Sequence, residues 1–245
     1  MNVFLKKTTW AAALTTALFL TACGKEAAVA QDKPAVAAAT PTAAPAEAAK
    51  TFTADDFKTD GITLVEGTDY QKIANPQPVQ VAGKSEVLEF FWYGCPHCYR
   101  VEPAVQAWKK TLPADVNFIR APANWGKPMD EHQKIYYTLN ALKKNDEIDS
   151  KVFSALNVDG LGLAKPELIS EFMVKNGIDK AAWDSAYSSF AVNTEVAKAN
   201  ALFKAYGLQG VPNFIVNGKY VVGGETARTL QIVNKLLEQD RGGKK

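Results

Sequence analysis

The sequence is poor in the side chains that most often bind metal ions, since its 245 residues contain only three cysteines and two histidines. Two of the cysteines and one histidine stand together in the stretch "CPHC" at residues 95–98, whereas His132 stands alone. A structural zinc ion takes four ligands, mostly from Cys and His. A metal site at this motif therefore stays an alternative that lacks its fourth ligand.

The apolar run near the N-terminus is too short to serve as a membrane span. It covers the 11 residues from Trp10 to Leu20, while a membrane-spanning helix needs about 20. The run follows Lys6 and Lys7 and ends in small residues before Cys23, which is the pattern of an export signal. We therefore expect residues 1–22 to be removed.

The chain has no marked excess of either charge, with 28 basic and 26 acidic residues. Removal of the signal takes away two of the 28 basic residues, Lys6 and Lys7, and leaves 26 of each sign. A nucleic-acid partner is not expected at such a balance. We interpret the C-terminal "RGGKK" as a solvated tail rather than a binding patch.

The residues "LTAC" at Leu20–Cys23 resemble the lipobox of bacterial lipoproteins, in which the cysteine becomes the lipidated first residue of the mature chain. The alternative is an incidental cysteine beside an ordinary cleavage site. Residues 24–50 are almost entirely Ala, Pro, Thr and a few charged residues, a composition that cannot bury enough apolar surface to fold. We therefore expect a lipidated Cys23 and a disordered tether over residues 23–52, with the lipid as the membrane anchor.

Three segments predict a sheet built around one helix. The run Val87–Trp92, "VLEFFW", is broken only by Glu89, which suits a strand that is buried on both faces. Pro96 then stands at a first helical position, and Val116–Arg120, "VNFIR", is typical of a second strand. A strand, a helix and a strand in series imply parallel pairing.

The rest of the chain predicts helices and then a hairpin. Residues 127–206 show helical apolar spacing with interruptions at "DGLGLAKP" and "KNGIDKAAW", which indicates four or five helices. Phe214–Val216 and Tyr220–Val222 then flank the turn dipeptide Asn217-Gly218, a strong hairpin signal. A last helix is expected over Thr226–Gln239. The predicted fold class is α/β, a sheet with a helical insertion.

The spacing of Cys95 and Cys98 at a helix start predicts a redox pair. Free backbone N–H groups and the positive end of the helix dipole stabilise a thiolate at Cys95, which we expect to be the nucleophile. Cys98, one turn inside the helix and more buried, should be the resolving thiol. His97 adds a donor or a positive charge beside Cys95. Because a stable thiolate stabilises the reduced form, the disulfide becomes a stronger oxidant.

Other interpretations of the motif are weighed against this one. A c-type haem site needs a histidine directly after the second cysteine, and Tyr99 occupies that position. A structural disulfide that closes so small a loop would gain little stability. If Cys23 carries lipid, Cys95 and Cys98 are the remaining thiols, in a compartment where disulfides persist. The pair is then its own redox group, and no dissociable cofactor is expected.

The stretches "VLEFFWYGCPHCYRVEP" and "GVPNFIVNGKY" resemble the DsbA family of bacterial thiol:disulfide oxidoreductases, from about residue 63 to the C-terminus. The resemblance implies a thioredoxin fold interrupted by an inserted helical domain, with a first part over residues 53–126, the insertion over 127–206 and a second part over 207–245. This explains why Val211 lies 113 residues after Cys98.

The resemblance also implies roles for single residues. Val211 and Pro212 would form a cis-proline segment that lies against the cysteines and binds the substrate chain, where the alternative is a trans proline opening an edge strand. Glu89 would be a buried acid that exchanges a proton with Cys98, unless it reaches solvent at the strand end.

Two stretches depart from the family pattern, and one histidine has no assigned role. Trp92-Tyr93-Gly94 precede the motif, and Pro103 should kink the helix. At these positions the resemblance implies no particular substrate or partner. His132 is interpreted as a surface residue of a helix.

The sequence therefore predicts a monomeric, lipid-anchored periplasmic thiol oxidase that passes its disulfide to unfolded exported polypeptides. As the resemblance implies, a DsbB-like quinone-linked membrane protein would reoxidise it. A disulfide isomerase or reductase is the alternative within the enzymes, although isomerases of this compartment usually carry a dimerisation domain. A lipoprotein that binds copper or another metal through the same thiols is the alternative from a different class. Which membrane holds the anchor is left open.

Overall fold

The computed structural model describes residues 50–242. The predicted signal segment, the lipid site at Cys23 and residues 24–49 of the predicted tether lie outside this range. Between residues 50 and 242, no helix is both long and apolar enough to cross a membrane.

A mixed sheet of five strands lies at the centre, in the order β1-β5-β4-β2-β3. The strands are β1 Gln71–Lys72, β2 Ser85–Phe91, β3 Val116–Pro122, β4 Asn213–Val216 and β5 Tyr220–Gly223. β2 and β3 are parallel, and the other three pairings are antiparallel. The predicted parallel pair and the predicted hairpin are confirmed. The sequence did not indicate β1, because two residues are too few to show a pattern.

The β4–β5 hairpin closes through Asn217 and Gly218, whose φ angles are +49° and +67°. The N–H of Lys219 donates to the Val216 carbonyl at 2.9 Å, and a β-turn with a positive φ at both central positions favours Asn-Gly. A Cβ atom on Gly218 would also lie 1.9 Å from the backbone oxygen of Gln77. Glycine is therefore required at this position by space as well as by conformation.

In the part of the chain that the structure describes, seven α-helices accompany the sheet, and five of them lie between β3 and β4. They are α1 Pro96–Trp108, α2 Met129–Ala141, α3 Asn145–Asn157, α4 Pro166–Lys175, α5 Lys180–Tyr187, α6 Phe190–Ala205 and α7 Ala227–Gly242, with short 3-10 helices at Ala54–Phe57 and Lys109–Thr111. The predicted four or five helices of this region agree with α2 to α6. α1 begins at Pro96 as expected and continues past Pro103, where the kink stays a prediction.

Both faces of the sheet are covered, and every residue of β2 is therefore buried. One face packs on α1 and α7, where the Trp108 ring lies 5.1 Å from that of Phe118. The other face packs on the helical region, where the ring of Phe90 lies 5.4 Å from that of Phe203 on α6. β2 thus carries the chain from the middle of the core directly to the "CPHC" motif.

Candidate active site

Cys95 lies between β2 and α1, at the residue that precedes the first turn of the helix. Its backbone N–H donates to the Trp92 carbonyl at 3.0 Å, and its own carbonyl accepts the N–H of Tyr99 at 2.9 Å. Pro96 is the first helical residue, where its fixed φ suits the helix and its missing N–H costs nothing. These local preferences place the Cys95 sulfur at the open N-terminus of α1.

The two sulfurs of the motif differ strongly in acidity. The side-chain hydrogen bond from Cys98 does most to lower the pKa of Cys95, helped by the backbone N–H groups of Cys98 and His97 and by the His97 charge. Together they outweigh burial and bring that pKa to about 6. Burial, followed by the neighbouring Cys95, raises the pKa of Cys98. Both are free thiols, 7% and 1% exposed, so Cys95 is the thiolate near neutral pH.

Replacing His97 with alanine is expected to raise the pKa of Cys95 only slightly. The backbone N–H at this position remains, and only the charge of a side chain that is 59% exposed is lost. Since an exposed charge pair contributes about 1 kcal/mol or less, the acid dissociation constant of Cys95 should fall less than about fivefold. Thiolate absorbance during a pH titration of the reduced protein measures the pKa of Cys95. A larger rise of this pKa in His97→Ala than in Cys98→Ala would contradict the conclusion that Cys98 lowers it most.

The His97 ring lies against an Arg100–Glu225 ion pair that the sequence did not indicate. Its Nδ1 lies 2.8 Å from Glu225 Oε2 and 2.6 Å from Arg100 Nη2, and Arg100 Nε donates to the same Glu225 oxygen at 2.8 Å. Arg100 lies one helical turn after His97, which was a usable signal. Glu225 lies 128 residues away, and no local pattern connects it to the motif.

The Val211–Pro212 peptide bond is cis, as the resemblance implied. The Cys95 sulfur lies 3.8 Å from the Val211 carbonyl oxygen, a weak S–H···O contact. The segment before β4 therefore forms a wall of the site although it lies 116 residues from Cys95 in the chain. Its part in substrate binding stays a prediction.

Glu89 on β2 is fully buried, so the alternative that it reaches solvent is wrong. Arg120 on β3 donates from Nε to Glu89 Oε2 at 2.6 Å and from Nη2 to Glu102 Oε2 at 2.6 Å. Its Nη1 lies 3.5 Å from Asp149 Oδ2. The guanidinium group of Arg120 thus forms ion pairs with three buried carboxylates.

The buried cluster holds exchangeable protons near neutral pH. Burial raises the pKa of Glu89 to about 7 against the attraction of Arg120, and it raises that of Asp149 to about 6. Burial opposes the charge of Arg120, but Glu102, Glu89 and Asp149 outweigh it and raise the pKa of the guanidinium well above its usual value. After burial and Cys95, the charge of Glu89 also contributes to the raised pKa of Cys98.

The sequence identified Glu89 but none of its three partners. Glu89 and Arg120 are directly paired in the β2–β3 register, so an arginine in "VNFIR" beside a strand with one buried glutamate was a usable signal. Asp149 comes from α3, and only tertiary packing brings it to the cluster. It also accepts a hydrogen bond of 2.5 Å from the hydroxyl of Tyr93, beside the motif.

The prediction that His132 is a surface residue is wrong, since its side chain is buried on α2. Its ring is hydrogen-bonded to Trp92, in the loop before Cys95. His132 shares a helical face with Ile135 and Leu139, three and seven residues later, which are both fully buried. That spacing was a signal for burial, because a residue on the apolar face is turned towards the core.

Within residues 50–242, no three His, Cys, Asp or Glu side chains are placed to hold a metal ion together. The buried carboxylates of Glu89, Glu102 and Asp149 surround the guanidinium of Arg120.

Comparison with known proteins places residues 86–233 in the family model of the DSBA-like thioredoxin domain. A curated relative from Azotobacter vinelandii, "Thiol:disulfide interchange protein DsbA", is 42% identical over 179 residues, which cover 71% of this chain and 84% of the relative. A protein of the same name from Pseudomonas aeruginosa is 39% identical over 183 residues, which cover 73% of this chain and 87% of the relative.

Solved structures show the same similarity. The crystal structure of Pseudomonas aeruginosa DsbA matches with a TM-score of 0.70 and 38% identity, over 78% of this chain and 98% of that one. The oxidoreductase NmDsbA1 from Neisseria meningitidis matches with a TM-score of 0.68 and 30% identity, over 74% and 96%. The residues matched by the family model include the site from Glu89 to Glu225 and do not include Cys23.

Proposed function

The chain belongs to the family of DSBA-like thioredoxin domains, and from this premise we propose that Cys95 and Cys98 form the disulfide that it exchanges. It is a thiol:disulfide oxidoreductase with the thioredoxin-like fold of that family. The observation that carries the proposal is the contrast between the two sulfurs, since the pKa of Cys95 is lowered to about 6 and that of Cys98 is raised. A stable Cys95 thiolate favours the reduced form and makes the disulfide an oxidant.

The exchange begins with the Cys95–Cys98 disulfide. A substrate thiolate attacks the Cys95 sulfur, the S–S bond breaks, and Cys98 leaves with the electron pair and takes up a proton. A second substrate thiolate then attacks the substrate sulfur of the mixed disulfide, which forms the substrate disulfide and releases Cys95 as a thiolate. Two electrons pass from the substrate thiols to the enzyme. Cys95 suits this last step because a thiol of low pKa leaves faster.

Glu89 is our candidate for the group that supplies the proton to Cys98. With a pKa of about 7, its carboxyl group is protonated in part of the molecules at neutral pH. The Cys98 thiolate has a strong affinity for this proton, because burial raises the pKa of the thiol. Arg120 holds the carboxyl group in place throughout.

The remaining residues of the motif orient the reactants. Val211 and Pro212 would bind the substrate chain, because the Val211 carbonyl lies beside the attacked sulfur and can accept a backbone N–H. Pro96 fixes the start of α1. The His97 side chain is largely exposed beside Cys95 and presents a polar ring to the substrate. These roles rest on the geometry of the thiols and on the family.

We further propose that the enzyme is exported and lipid-anchored through Cys23, and that it acts in the periplasm as a monomer. The export pattern and "LTAC" support this. Its substrates would be unfolded exported polypeptides, and a DsbB-like membrane protein would restore its disulfide. The inserted domain over residues 127–206 would contain α2 to α6, between the two parts of the thioredoxin fold over 53–126 and 207–245.

The oxidised protein is expected to convert a reduced, unfolded two-cysteine polypeptide to its disulfide form, one bond for each enzyme molecule. Thiol titration of both proteins after the reaction measures the transfer, and Cys95→Ala is the inactive control. Failure to oxidise this substrate, together with rearrangement of a scrambled one by the reduced protein, would instead identify an isomerase.

Replacing Cys23 with alanine is expected to abolish the incorporation of labelled palmitate and to release the protein from the membrane fraction. The reason is that a lipid chain on this residue would be the anchor. The matched control is Cys98→Ala, which should stay lipidated and membrane-bound. Persistence of the label in Cys23→Ala would contradict the lipid assignment without affecting the proposed oxidation chemistry.

A further inference from the structure

His132 connects three separate segments through the two nitrogens of its ring. Its Nδ1 lies 2.8 Å from the indole Nε1 of Trp92, in the loop before Cys95. Its Nε2 lies 3.2 Å from the carbonyl oxygen of Gly162, in the segment between α3 and α4. The planes of the imidazole and the indole are only 21° apart. With 1% of its surface exposed, the ring is fixed by these contacts.

The chemistry of the partners fixes the protonation of the ring. An indole nitrogen can only donate a hydrogen bond, and a carbonyl oxygen can only accept one. Nδ1 of His132 must therefore accept from Trp92 and carry no proton, while Nε2 carries the proton and donates it to Gly162. A proton on Nδ1 would face the indole N–H and break the contact. Burial lowers the pKa of His132, which favours this neutral form.

Trp92 in turn holds both cysteines. Its backbone carbonyl accepts the N–H of Cys95 at 3.0 Å, and its backbone N–H lies close enough to Cys98 to oppose the rise in the pKa of that thiol. Its ring lies directly against Gly94, where an added Cβ would come within 2.5 Å of the indole atom Cζ2. The indole therefore packs directly on the backbone turn that leads to Cys95.

We propose that His132 is a positioning residue of the disulfide exchange, which locks the indole of Trp92 so that the turn from Trp92 to Cys95 keeps its shape. His132 touches neither sulfur and acts only through Trp92. The inference rests on the proposed exchange at Cys95 and Cys98 and assigns a function to a buried histidine that the exchange itself does not use.

The chain allows a matched pair of variants, because asparagine and glutamine each reproduce one nitrogen of the ring. His132→Asn places an oxygen near the position of Nδ1 and can still accept from Trp92. His132→Gln reaches the position of Nε2 and can still donate to Gly162, but it leaves the indole N–H without its acceptor. The readout is the equilibrium constant for reduction of the enzyme disulfide by glutathione, with the free energy of unfolding measured beside it.

His132→Gln is expected to lower this equilibrium constant at least threefold, because the reduced form loses part of the support of its Cys95 thiolate. His132→Asn should keep it within about twofold of the parent. In a Trp92→Phe background, which has no indole N–H, the two variants should no longer differ. If both variants lose stability but share the parent equilibrium constant, His132 has a structural role only and the proposal is overturned.

Nitrogen-15 NMR of the unmodified protein tests the same inference without any variant. The chain has only two histidines, and His97 is identified by its absence from the spectrum of His97→Ala. The other ring should show a protonated Nε2 and a bare Nδ1. The opposite tautomer would overturn the proposal even if a variant failed to fold.

Failure of the proposed oxidase function would look different. The unmodified protein would then have an equilibrium constant for reduction by glutathione as low as that of thioredoxin, and the comparison of the His132 variants would still be valid.

Discussion

An alanine at position 98 is expected to abolish the oxidation of substrate dithiols and also to raise the pKa of Cys95 clearly above about 6. Oxidation ends because one remaining thiol carries no disulfide to transfer. The pKa rises because the side-chain hydrogen bond from Cys98 does most to lower it. A hydrogen bond to a charged group contributes about 1.5–3 kcal/mol, so the acid dissociation constant of Cys95 should fall about tenfold or more.

The variant Cys98→Ser separates the loss of oxidation from the rise in the pKa of Cys95, because the serine hydroxyl keeps a hydrogen-bond donor at nearly the same place. Cys98→Ser should be as inactive as Cys98→Ala but should retain a Cys95 pKa near that of the parent. The rate of alkylation of Cys95 between pH 4 and pH 9 measures the pKa in all three proteins. Equal pKa values in the two variants and the parent would show that the N-terminus of α1 alone stabilises the thiolate.

Replacing Arg120 with methionine is expected to lower the free energy of unfolding by about 3–5 kcal/mol at pH 7. The guanidinium is the buried partner of Glu89, Glu102 and Asp149, and its loss leaves their charges uncompensated. Chemical denaturation measures the change. The matched control is Lys180→Met, which removes an exposed ion pair with Asp184 and should cost less than about 1 kcal/mol.

The loss of unfolding free energy in Arg120→Met should also depend on pH, and it should be smaller at low pH than at pH 7. Burial already raises the pKa of Glu89 and of Asp149, and loss of the attraction to Arg120 raises both further above their values in the unfolded chain. The folded variant then binds more protons than the folded parent, and it gains more stability than the parent does as the pH falls from 7 towards 4. The deficit relative to the parent should therefore narrow at low pH. A deficit that is constant with pH would show that lost packing, and not uncompensated charge, causes it.

Local sequence patterns were sufficient to predict most of the sheet and the reactive pair. The run "VLEFFW" gave the buried strand because both faces of β2 are covered. Pro96 marked the start of α1, and Asn217-Gly218 marked the hairpin because few other residues adopt two positive φ angles in succession. Cys95 and Cys98 were found because their spacing at a helix start is itself the chemical signal.

The residues that the sequence did not reveal reach the site through tertiary packing. Asp149 and Glu225 belong to distant elements, and neither stands in a motif. The cis state of the Val211–Pro212 bond was available only through the family resemblance, because X–Pro bonds are cis in only about 5–6% of cases in folded proteins. The surface prediction for His132 was wrong because its position on the apolar face of α2, and not its residue type, decides its burial.

The reduction potential of the Cys95–Cys98 couple tests the central claim most directly. If the Cys95 thiolate is stabilised as the geometry indicates, the potential should lie well above the value of about −270 mV known for thioredoxin, towards the value of about −120 mV known for a DsbA. Equilibration with glutathione buffers at pH 7 gives the value. A potential at or below that of thioredoxin would contradict the assignment as a thiol oxidase and would favour a reductant.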